Sequence, residues 1–196
     1  YDYADGSFKE GFGEEVPGRD ETLFRERGLS TLMEKRLPGV SHRRQVFFAR
    51  PHGWVVRDTL GGPGIKSAEQ LWHFYKGRIE PVAGNQQAWA TQFDDSNLIV
   101  MTKASGPQSA EVFKGQKEPF FAGWHCPYYD VVRPTPELRF TQKGSDKLVF
   151  HTLLWPVEGT VEDVPQFDIG ESSYKITSGA TTIKIKATDE EGWRLC

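Results

Sequence analysis

From Leu29 onward the chain is cut by turn signals into lengths too short and too weakly periodic for a convincing helix. The signals are Leu37-Pro38-Gly39, Gly61-Gly62-Pro63-Gly64, Asp94-Asp95-Ser96-Asn97, Gly106-Pro107, Lys143-Gly144-Ser145-Asp146 and Ser178-Gly179. Between them lie β-patterned runs at 29–36, 41–50, 53–60, 67–76, 86–93, 97–103, 109–114, 137–142, 147–155, 173–177, 181–187 and 191–195. Short strands at this spacing predict an all-β fold, a multi-stranded antiparallel β-sandwich of two layers or a super-sandwich. Residues 1–28 are rich in glycine and charge and read as an extended arm or long loop, with one short helical pattern at 20–27. The sandwich domain is then 29–196, with neither an internal repeat nor a domain-sized linker.

Side-chain alternation sharpens the fold. On the run 53–60, Trp54, Val56 and Leu60 share one face, while Val55 and Thr59 occupy the other. On 147–155, His151, Leu153 and Trp155 oppose Phe150, Thr152 and Leu154. Both faces are partly apolar, unlike the in/out pattern of a sheet with one face in water. Such strands belong inside a stack of sheets or against another domain. Runs 41–50 and 53–60, joined by Arg50-Pro51-His52-Gly53, predict a hairpin.

Composition excludes several functions. With 196 residues, 37% hydrophobic and 26% charged, the chain can bury a full core and is not globally disordered. A net charge of −3 offers no basic footprint for nucleic acid, so no nucleic-acid partner is expected. No apolar run approaches the roughly 20 residues of a membrane helix, and no membrane partner is expected. Cys126 and Cys196 are too few for a disulfide framework or a multi-cysteine metal site. No secretory signal is visible, but the sequence starts at Tyr1, which says nothing about secretion.

Two blocks resemble one enzyme family. The first runs from Leu37 through Ser41-His42-Arg43-Arg44 to Leu60 and on to Glu69-Gln70-Leu71-Trp72-His73-Phe74. The second is Gly123-Trp124-His125-Cys126-Pro127-Tyr128-Tyr129, continuing through Pro134-Thr135-Pro136-Glu137-Leu138 to His151-Thr152-Leu153-Leu154-Trp155-Pro156. In order and spacing these resemble the β-sandwich portion of the heparinase II/III-like polysaccharide lyases, over about two thirds of the chain. The resemblance implies a β-sandwich beside a helical toroid domain of the same protein, and β-elimination on uronic-acid polysaccharide. It also implies a secreted or periplasmic location. In that family a tyrosine or histidine takes the uronate C5 proton while polar groups neutralise the carboxylate. The stretches carrying those groups, and the family's occasional metal ligands, have no counterpart here. No catalytic residue, metal ligand or cofactor is therefore assigned.

Six residues remain as substrate-binding candidates. Arginine grips carboxylate or sulfate bidentately and histidine titrates near neutrality, which singles out the His42-Arg43-Arg44 cluster. Strand parity puts His42 and Arg44 on one face and Arg43 on the other. The alternative for this pair is cross-strand pairing with Asp58 or Glu69. Trp124, His125 and Tyr128 fall in an expected loop over 124–129 that Arg133 closely follows, and aromatic faces with a cation suit an acidic sugar. The alternative there is a packed loop with Trp124 plugging the sandwich end. His73 and His151 read as hydrogen-bonded core histidines.

The leading expectation is the β-sandwich part of a lyase, lining a cleft for an acidic polysaccharide and inactive alone. A self-standing carbohydrate-binding sandwich and a structural sandwich bracing a partner domain are the alternatives.

Overall fold

The computed structural model describes residues 1–9, 13–16, 32–36, 39–189 and 191–196, with 13–16 and 32–36 described in backbone alone. In chain order the strands are β1 (Asp2–Phe8), β2 (Gly13–Val16), β3 (Leu32–Arg36), β4 (Ser41–Ala49), β5 (Gly53–Gly61), β6 (Ser67–His73), β7 (Ile79–Val82), β8 (Asn85–Thr91) and β9 (Ser96–Ala104). They continue as β10 (Gln108–Lys114), β11 (Trp124–Tyr128), β12 (Val131–Pro134), β13 (Pro136–Lys143), β14 (Lys147–Glu158), β15 (Gln166–Gly170), β16 (Ser173–Ser178), β17 (Thr181–Thr188) and β18 (Gly192–Leu195). Every strand pairing is antiparallel, and no helix occurs among the described residues. The fold is an all-β sandwich.

A seven-stranded sheet, ordered β1-β4-β5-β14-β9-β8-β7, is the middle layer. Its apolar residues point both ways, as the alternation predicted. Phe47, Val55, Ile99, Met101, Leu153 and Trp155 pack against Phe167, Tyr174, Ile176, Ile185 and Trp193 of the four-stranded sheet β15-β16-β17-β18. On the opposite face Val100, Leu148 and Phe150 meet Ala68, Leu138 and Phe140 of the three-stranded sheet β10-β13-β6. Each fully buried side chain of this size contributes roughly 1.5–3 kcal/mol. A middle sheet covered on both sides explains why β5 and β14 carry apolar residues on both faces.

Strands β4 and β5 form the expected hairpin, in register from Ser41↔Gly61 to Ala49↔Gly53, with the His52 amide donating to the Ala49 carbonyl at 2.8 Å. Gly53 is required there, since a Cβ would stand 2.5 Å from the Leu154 carbonyl oxygen.

Other segments differ from the sequence reading. Residues 2–8, read as part of an arm, pair with β4 from Asp2↔Phe48 to Phe8↔His42. Their Asp-Tyr-Ala-Asp-Gly-Ser core lacks the alternation that marks a strand. The helical pattern at 20–27 and the boundary at 28 lie outside the described residues. The 124–129 segment, expected as a loop, belongs to the hairpin β11–β12, with Asp130 in the left-handed region (φ 63°) at its tip. Pro127 and a register shift between His125 and Tyr128 hide its strand character. Strand β7 contains Pro81, which a sheet tolerates at its edge, where β7 lies.

Candidate functional site

His42 and Arg44 do share a face, and both turn to Asp58 on the neighbouring strand. Asp58 is 2% exposed. Arg44 Nε donates to Asp58 Oδ1 at 2.6 Å and Nη2 to Oδ2 at 2.9 Å, while His42 Nε2 lies 2.7 Å from Oδ1. Gln70 Nε2, from β6, donates to Oδ2 at 2.7 Å. Its Oε1 in turn accepts from Trp72 Nε1 at 3.0 Å and Thr152 Oγ1 at 2.9 Å. Burial by itself would raise the Asp58 carboxyl, but the hydrogen bonds from His42, Arg44 and Gln70 and the Arg44 charge outweigh it and hold it at about 2. The polar ends of this cluster are thus engaged inside the protein. Beside it, Arg44 edges an apolar groove of about 300 Å³ lined by Val46, Trp54, Trp72, Leu98 and Leu154.

The other face of β4 and β5 is also internally satisfied. Arg43 bonds Asp5 and Asp189, while Arg57 bonds Gln45 and Asp189 and sits 5.2 Å over the Trp193 ring. His151 Nδ1 lies 2.8 Å from the Tyr174 hydroxyl, the hydrogen-bonded core histidine expected. Burial, then the Arg57 charge, lowers His151 to about 4, so its imidazole is neutral at ordinary pH.

His73 is not a core histidine. On β6, Gln70 and Trp72 turn inward, whereas Leu71 and His73 face out. The His73 side chain is exposed, its Nδ1 3.7 Å from Glu137 Oε2.

The hairpin β11–β12 presents the remaining candidates. His125 opposes Arg133 directly, so their side chains share a face. Tyr128 is exposed and Tyr129 fully so at the tip. The His125 ring meets Tyr75 edge-to-face at 5.4 Å. Trp124 turns to the opposite side of the hairpin, stacks on Phe121 at 5.0 Å, and donates from Nε1 to the Gln116 carbonyl at 2.7 Å. Lys117 sits 5.9 Å over its ring. Half-buried Trp124 is therefore shared between bracing the 115–121 loop and lining the surface.

Arg133 differs from the other arginines whose side chains are described. Arg43, Arg44, Arg50, Arg57, Arg78, Arg139 and Arg194 each have a carboxylate partner. Exposed Arg133 has none among the described residues. No cluster of metal-ligating side chains occurs among the described residues either.

The hairpin is held from below. The Gly123 amide donates to Glu137 Oε2 at 3.1 Å, while its carbonyl accepts from the Gly115 and Thr135 amides at 2.8 and 2.9 Å. Glu137 is buried and bonded by Arg139, whose guanidinium lies between the Phe113 and Phe120 rings at 4.9 and 4.8 Å. Sequence reasoning missed this support, because Glu137 and Arg139 look like ordinary surface charges on an alternating strand.

No family model matches the chain, and no curated protein matches it. Solved structures do. A heparinase III gene product is similar at 22% identity and TM-score 0.59, over 76% of this chain and 24% of that one. A second heparinase III is similar at 18% identity and TM-score 0.61, and the heparan sulfate lyase HepC from Pedobacter heparinus at 16% and 0.61. Each is again covered over 24% of its length and covers 76% of this chain. The chain thus spans about a quarter of these proteins, and at this identity the likeness establishes a shared sandwich fold.

Proposed function

We propose that this chain is the β-sandwich part of a polysaccharide lyase that cleaves a uronic-acid-containing polysaccharide by β-elimination, with most of the catalytic groups in a helical toroid domain of the same protein. The sandwich itself holds the acidic chain at the β11–β12 hairpin, through Arg133, His125, Tyr128 and the edge of Trp124. The observation that carries this reading is Arg133, an exposed guanidinium with no carboxylate partner among the described residues, directly across the hairpin from His125. Guanidinium binds carboxylate and sulfate bidentately, and exposed tyrosines suit the C–H faces of sugars. The sandwich likeness to heparinase III and heparan sulfate lyase structures supports the class. A polymeric substrate of this kind is met outside the cytoplasm, in a secreted or periplasmic setting.

Affinity electrophoresis tests the reading. The chain is expected to be retarded in gels containing heparin, alginate or hyaluronan, not in dextran, and to release no ultraviolet-absorbing unsaturated uronate. Equal mobility in every gel contradicts the contact; release of unsaturated uronate contradicts the placement of the chemistry elsewhere.

One observation favours a bracing role in addition. The groove beside Arg44 leaves Trp54, Trp72, Leu98 and Leu154 only half-buried, a surface that suits a neighbouring domain.

A further inference from the structure

Beneath the hairpin lies a pocket of about 460 Å³ whose walls come from two segments distant in sequence. His73 and Tyr75 contribute from the end of β6 and the loop after it. Trp124, His125 and Cys126 contribute from β11, and Thr135 from the link to β13. No carboxylate lines it; Glu137, 3.7 Å from the His73 ring at its wall, is buried and already bonded by Arg139 and the Gly123 amide. Thr135 is 4% exposed, and its hydroxyl has no hydrogen-bond partner. A buried hydroxyl left unpaired costs free energy, which is why nearly all such groups are satisfied.

The rings differ in availability. Trp124 is engaged by Phe121, Lys117 and the Gln116 carbonyl. Tyr75 is 67% exposed, and its ring contact is with His125. Of the two, Tyr75 is the ring free to carry a ligand.

The geometry points to a subsite for one carboxylate-bearing pyranose, seated on Tyr75, with its carboxylate between His125 and Arg133 and its ring beside the Thr135 wall. This rests on the reading of the hairpin as a contact for acidic glycan and adds the residues that select the sugar. A pyranose has the apolar C–H face that an exposed tyrosine accepts. His125 and Arg133 share one face, so a single carboxylate can meet both. Trp124 is a positioning residue that fixes the 115–121 loop against the hairpin.

The test titrates the full isotope-labelled chain with an unsulfated hyaluronan tetrasaccharide, and with the same tetrasaccharide after its carboxyls are reduced. Amide shifts are expected at His73, Tyr75, His125 and Thr135, and not at His42 or Arg44. Tyr75→Ala should weaken binding about tenfold and Tyr75→Phe should restore it. Trp124→Phe should lower thermal stability, because it removes the hydrogen bond to the Gln116 carbonyl. The carboxyl-reduced sugar should bind markedly more weakly. If the tetrasaccharide binds but moves no pocket amide, or Tyr75→Ala is without effect in a folded protein, the subsite is wrong while the hairpin contact stands. If the polymer binds and the tetrasaccharide does not, the subsite is wrong in the same way. If neither binds, the hairpin contact fails with it.

Discussion

Gln70, on the three-stranded sheet, donates a 2.7 Å hydrogen bond to Asp58 on the seven-stranded sheet, so one buried carboxylate joins the two layers. The same carboxylate takes up the polar ends of Arg44 and His42. Removing it leaves the buried Gln70 amide without its acceptor and strips the partly exposed Arg44 guanidinium of its carboxylate. Asp58→Ala should therefore cost about 3 kcal/mol in urea unfolding, and His42→Gln about 1 kcal/mol. Neither should alter glycan binding. A loss of glycan affinity in folded His42→Gln would return that face to the substrate.

Stability should fall with acid in two stages. The His151 imidazole is depressed to about 4, so the unfolded chain takes up its proton first, and stability drops as pH falls from about 6.5 toward 4. The Asp58 carboxyl is depressed to about 2, so its contribution is full above about pH 4 and is lost as pH falls toward 2. Denaturant unfolding across this range checks both stages. His151→Gln should flatten the upper stage alone and Asp58→Asn the lower alone; an unchanged profile in either variant contradicts the assignment.

Arg139 links the aromatic loop to the sheet. It bonds Glu137 and Glu69 and lies between Phe113 and Phe120. Arg139→Met should leave Glu137 uncompensated and cost about 3 kcal/mol, and lysine should recover little because it lacks the planar fork. Hydrogen exchange should quicken across 115–123 in both variants.

Gly123 has a backbone that side chains resist, with φ at +71°, and a Cβ there would stand 2.6 Å from the Lys114 Cα. Gly123→Ala should displace β11 and destabilise the chain by about 2 kcal/mol or more. Circular dichroism during thermal unfolding measures the loss, and an unchanged melting temperature would show that the hairpin is not anchored there.

The sandwich was legible because alternation on β5 and β14 already required two buried faces, and Leu153 and Phe150 point into the two cores accordingly. The site was legible only in part. Parity placed His42 with Arg44, and Asp58 appeared among the partners available to them. Nothing local marks Tyr75 and His125 as neighbours, because their contact joins a loop after β6 to a hairpin 50 residues later. Nor does sequence distinguish Arg133 from Arg139. One has no carboxylate partner among the described residues and the other is held by two, and only the register of β13 against β6 brings Glu69 within reach.

The most direct measurement is calorimetric titration of the chain and of Arg133→Ala with heparan sulfate. Wild type should bind, and Arg133→Ala should bind about tenfold more weakly with an unchanged melting temperature. Equal affinity for the two proteins, or no binding by wild type, would contradict the hairpin's role as the contact for an acidic glycan.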